Sequence, residues 1–69
     1  MGDLREQVIE AMENDVAYDF IANNYYKMDN TDLKDILLEL LFGIYISDKD
    51  GTDAKEVAIE GLKERWEEN

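Results

Sequence analysis

The chain reads as an all-α protein, a compact three- to four-helix bundle around a central hydrophobic helix. Three observations predict this. Proline is absent and glycine occurs only four times in 69 residues, so little interrupts long helical runs. Apolar residues recur at three- and four-residue spacing, and no stretch alternates with the period of two that a half-buried strand requires. One run, Leu33 to Ile46, is apolar most of the way round a helical wheel, which marks a helix surrounded by other structure. A single helical domain over 1–69 is expected, with helices at about 3–13, 15–28, 32–46 and 53–67.

The first helix opens at Asp3, an N-cap with Glu6 three positions on. Leu4, Val8, Ala11 and Met12 share one face, and Glu6, Glu10 and Glu13 the opposite one. Around Asn14-Asp15 the phase changes, and Ala17, Phe20, Ile21, Asn24, Tyr25 and Met28 define a new face. This predicts a break at Asn14, a competent N-cap. One continuous helix is the alternative, because Leu4, Val8, Met12, Val16 and Phe20 form a slowly drifting stripe. Of the adjacent Tyr25 and Tyr26, one is expected in the core and one outside.

Asn30 or Thr31 is expected to cap the central helix, with Asp32 and Asp35 in its positive first turn. Leu33, Ile36, Leu37, Leu40, Leu41 and Ile44 form its broad apolar face. Leu38, Phe42, Tyr45 and Ile46 continue that face. Asp35, Glu39 and Gly43 make a narrow strip, read as a solvated edge. The flanking helices are expected to cover the broad face. Leu38, Phe42 and Tyr45 are then left over, and they are the seam if the chain is a homodimer. Ser47 to Thr52 reads as a turn. The last helix starts near Thr52 or Asp53, and Asp53 with Glu56 makes a capping-box-like start. Its apolar face is Ala54, Val57, Ala58, Gly61 and Leu62, flanked by Ile59 and Trp66, and small Ala58 and Gly61 permit close helix approach.

Composition narrows the function. Eighteen acidic residues against seven basic leave a net charge of −11. Direct binding to DNA or RNA phosphates needs Lys and Arg to displace counterions, so neither is expected, and binding to an anionic membrane surface is not expected on the same ground. The Leu33 to Ile46 run is too short for a bilayer and contains Glu39. Cysteine and histidine are both absent, which removes disulfides, thiolate metal sites, Cys nucleophiles and the usual general base near neutral pH. Met1 to Asp19 has no apolar signal-peptide core, so a cytoplasmic protein is expected.

Asp48-Lys49-Asp50-Gly51-Thr52 opens like an EF-hand calcium loop, then departs from it. Counted from Asp48, the sixth position is Asp53 instead of Gly, the eighth is Lys55, and the twelfth is Ile59, with Glu60 one residue late. The segment reads as a polar turn, with divalent-ion binding at 48–52 left open. No phosphate loop, nucleophile elbow or metal-ligand spacing is present. The carboxylates fall mostly on exposed faces, where nothing tunes a pKa for acid–base work. No cofactor, no metal and no enzymatic activity are expected.

Asp53, Glu56, Glu60, Glu64 and Glu67 are spaced three, four, four and three. On a helix they fall within about 80° and make a straight ridge about 21 Å long. Glu6, Glu10 and Glu13 make a shorter copy. Glu6/Glu10, Asp15/Asp19, Asp35/Glu39, Glu56/Glu60, Glu60/Glu64 and Glu64/Glu68 are like-charged i,i+4 pairs, and no acid lies four residues before a Lys or Arg. A row of carboxylates on a rigid rod suits a Lys/Arg-lined channel that otherwise holds a phosphate backbone. The alternative is a self-associating helical adaptor or regulator whose acidity serves only solubility.

In its small size, excess acid, lack of Cys and His, and ridges at Asp53–Glu67 and Glu6–Glu13, the chain resembles the small acidic proteins that phages encode against host machinery. These include anti-CRISPR proteins and other DNA mimics. The resemblance is one of composition and not of a motif. It implies a non-enzymatic inhibitor that docks on the basic surface of a nucleic-acid-binding enzyme such as a CRISPR effector.

Overall fold

The computed structural model describes residues 3–67. In chain order it contains α1 (Leu4–Glu13), α2 (Ala17–Asn24), a 3-10 turn (Tyr25–Lys27), α3 (Asn30–Asp50) and α4 (Ala54–Glu67). The fold is an all-α helical bundle, with no strand among the described residues.

Local chemistry sets each boundary. The Asp3 carboxylate accepts the Glu6 N–H at 3.0 Å and starts α1. At the other end the Val16 N–H bonds to the Ala11 carbonyl at 2.9 Å and the Asp15 N–H to the Met12 carbonyl at 3.3 Å. Asp15 has φ 64°, a left-handed conformation that Asp tolerates better than most residues. This is a Schellman ending. The break is therefore made by capping the end of α1. Asn14 is the C-cap of α1, whereas the N-cap of α2 is Val16. Helix α2 is shorter than a helix over 15–28. The Asn24 amide donates to the Phe20 carbonyl at 2.8 Å, and the chain tightens there into the 3-10 turn. Tyr25 and Tyr26 are both exposed, their rings edge-to-face at 6.2 Å, so neither enters the core.

Asp29, one residue before the expected caps, is the N-cap of α3. The helix continues through Ser47 to Asp50, polar residues that contain no breaker. It stops at Gly51, whose φ of 72° and N–H bond to the Ser47 carbonyl at 2.9 Å form a left-handed cap. The turn expected over Ser47–Thr52 is thus the last turn of α3 followed by a three-residue link. The Asp53 carboxylate accepts the Lys55 N–H at 3.0 Å and starts α4.

A short link makes α3 and α4 an antiparallel hairpin, and α1 packs on another side of α4. The core comprises Val8 and Met12 of α1, Ile36 of α3, and Ala58, Ile59, Leu62 and Trp66 of α4. Ile9, Ala17, Phe20, Ile21 and Met28 lie partly buried around it. Four of these buried residues belong to α4 and only one to α3. The central helix is therefore α4. The helix that carries the apolar Leu33–Ile46 run lies along an edge, which corrects the expectation that this run is enclosed by its neighbours. Among the described residues no helix is long and apolar enough to cross a membrane.

Candidate functional site

The side of α3 that faces α4 is the strip Asp35, Glu39 and Gly43. Glu39 is 9% exposed, and its Oε2 accepts from Arg65 Nη2 at 2.7 Å and Nε at 3.1 Å. Asp35 accepts the indole N–H of Trp66 at 3.1 Å and lies 3.5 Å from Arg65 Nη1. One turn earlier, Asp32 accepts from Arg5 Nη2 at 2.9 Å and Nε at 3.1 Å, and that guanidinium stands 5.4 Å from the Trp66 ring centre. Hydrogen bonding to Glu39 raises the pKa of Arg65, and hydrogen bonding to Asp32 raises that of Arg5. Charge-assisted bonds of this kind offset the burial of the carboxylates. Two glycines make the fit possible. A Cβ on Gly61 would meet the Glu39 carboxylate, and one on Gly43 the Ala54 carbonyl. The reading of Glu39 as a solvated edge residue is overturned because its cation lies 26 residues away in α4.

Turning this strip inward turns the apolar arc of α3 outward. Leu37, Leu38, Leu40, Leu41, Phe42, Ile44 and Tyr45 are all exposed, from 39% at Leu40 to 56% at Leu37. Of the broad face expected to be covered, Ile36 is buried and Leu33 half-buried, while Leu37, Leu40, Leu41 and Ile44 are exposed. Leu38, Phe42 and Tyr45 thus sit within a much wider apolar surface. Seven large side chains near half exposure amount to on the order of 700 Å². The largest apolar patch on an ordinary monomer is about 300–600 Å². Towards α2 the surface runs into a groove lined by Ala17, Tyr18, Ile21, Tyr25, Leu37 and Leu40. Towards α4, Phe42 and Val57 share a groove with Glu56, Glu60 and Glu64.

Glu56, Glu60, Glu64 and Glu67 are exposed on the side of α4 opposite its core residues, Asp53 is exposed just before that helix, and Glu6, Glu10 and Glu13 are exposed on α1. Glu6, Glu10, Glu13 and Glu67 border one groove between α1 and α4, with Lys63 beside them and its Nζ 3.3 Å from Glu13. Lys55 meets Asp15 at 2.9 Å, a hydrogen bond that raises the lysine's pKa. Glu68, of the Glu64/Glu68 pair, lies outside the described residues.

Asp48 and Asp50 belong to α3 and follow its helical spacing. Among the described residues no three acidic side chains come together as a metal site. No family model, curated protein or solved structure matches the chain. The α3 face escaped the sequence reading because a helical wheel ranks residues by hydropathy alone. The signal that points to it is the pair of glycines, one per helix, that lets two backbones approach over a buried carboxylate.

Proposed function

We infer that this chain is a non-enzymatic, cytoplasmic protein-interaction module that docks an acidic surface on the basic, nucleic-acid-binding surface of a partner, as anti-CRISPR proteins and other DNA mimics do. The observation that carries this reading is the exposure of all eight ridge carboxylates, Asp53 with four on α4 and three on α1; Glu67 at the end of the longer ridge borders the groove that the three α1 carboxylates line. A rigid helix holds its carboxylates at fixed spacing, so little order has to be created on binding. The net charge of −11 steers the chain to a cationic channel. The test is capture of nucleic-acid enzymes from a lysate at low salt. Release by moderate salt and by added duplex DNA is expected, with loss of capture on reversing Glu56, Glu60 and Glu64 to Lys. Capture that survives both DNA competition and charge reversal contradicts the reading.

The α3 face favours a second reading, a self-associating helical adaptor whose acidity serves solubility. Monomeric sedimentation at every concentration contradicts it.

A further inference from the structure

We propose that α3 is the seam of an antiparallel homodimer with its two-fold axis at Leu41, closed at each end by Lys34 and Asp48 of opposite subunits. Lys34, Leu37, Leu41, Ile44 and Asp48 are spaced three, four, three and four, the repeat of a helix–helix seam. On the α3 wheel they fall within about 80°, on the side away from the Asp35–Glu39–Gly43 strip. All five are exposed.

The seam is apolar in the middle and oppositely charged at its ends. Pairing two copies antiparallel about Leu41 sets residue 34 of one against residue 48 of the other. Lys34 then meets Asp48 of the partner subunit, and Leu37 and Ile44 interleave around the two copies of Leu41. A parallel pairing would oppose Lys34 to Lys34 and Asp48 to Asp48, so the charges select one orientation. Such a contact is isologous and closes at two subunits. The exposed apolar side chains of α3 total on the order of 700 Å². Leu38, Leu40 and Tyr45 flank the seam and Phe42 lies outside it, so the contact buries less than the roughly 800 Å² per partner of a standard interface and the dimer is concentration-dependent.

Symmetry also places the charge. A two-fold axis perpendicular to both helices keeps each flank of α3 on the same side in both copies. Glu56, Glu60 and Glu64 lie on the Phe42 flank, so both ridges share one face of the dimer. The groove between α2 and α3 opens on the other face. The ridges repel one another across that face, so dimerisation strengthens as salt rises. Docking on a basic partner responds to salt in the opposite sense. The dimer does not depend on such a partner.

The absence of cysteine makes each introduced thiol a clean reporter. Under mild oxidation Leu41→Cys forms a disulfide dimer, because both copies lie at the axis within the reach of a disulfide, roughly 6 Å between Cα atoms. Lys34→Cys alone stays uncrosslinked. Lys34→Cys mixed with Asp48→Cys gives the hetero-crosslinked species. Leu41→Lys yields a monomer with unchanged helical circular dichroism, since the site is exposed. Lys34→Asp weakens dimerisation about tenfold, and Lys34→Asp with Asp48→Lys restores it. A Leu41→Cys chain that remains uncrosslinked and monomeric, or a Lys34→Cys chain that crosslinks to itself, overturns the proposal.

Discussion

Gly61 holds open the space that the Glu39 carboxylate occupies, and with Gly43 it lets the acidic side of α3 face inward. Gly61→Ala forces the carboxylate off Arg65 and is expected to destabilise the fold by about 1–3 kcal/mol in urea denaturation. Gly43→Ala meets the Ala54 carbonyl, a backbone atom with less freedom to move, and is expected to be more damaging. Arg65→Ala leaves Glu39 buried without its cation. Its melting temperature should fall well below that of Lys63→Ala, which removes only the exposed pair with Glu13. Lys55 adds a pH signature. Its pKa is raised above 10.5 by Asp15, so its stabilising effect is fully present below the unfolded lysine's value and disappears as pH rises through the folded one. Melts of the wild type and Lys55→Gln should differ by a constant amount near neutrality and converge in strong alkali.

At the scale of the elements, much was legible in the chain. Asp3 with Glu6 announces the start of α1. The phase change at Asn14-Asp15 announces a corner, and Asp53 announces the start of α4. These signals are local, made between residues a few positions apart. The orientation of α3 was not legible by that route, because it rests on contacts of Asp35 and Glu39 with Arg65 and Trp66, about 30 residues away. Hydropathy placed the leucines inward, whereas paired charges and two glycines placed the acids there. The end of α3 was missed for a related reason. Ser47 to Asp50 look like a loop by polarity, but a helix end exposed to water accepts polar residues, and the residue that stops it is Gly51. The left-handed corner at Asp15 offers a check on this scale. Asp15→Val should destabilise the protein by about 1–2 kcal/mol, because a β-branched residue resists that backbone, measurable by thermal unfolding.

On the scale of the whole molecule, two surfaces coexist in a chain of 69 residues carrying a net charge of −11. The ridges on α1 and α4 repel themselves, so added salt is expected to raise the melting temperature. The α3 face leaves more apolar surface in water than an ordinary monomer does, and a small domain has little core to compensate. Covering that face with a second copy would complete the hydrophobic packing that a single chain lacks. The most direct test is sedimentation equilibrium of the wild type and Leu41→Lys, from micromolar to near-millimolar protein, at low and moderate salt. A reversible dimer that grows with concentration and salt, and a monomeric Leu41→Lys of unchanged helicity, is the result expected. A wild-type chain that sediments as a monomer throughout, or a Leu41→Lys chain that dimerises as well as the wild type, would contradict the account.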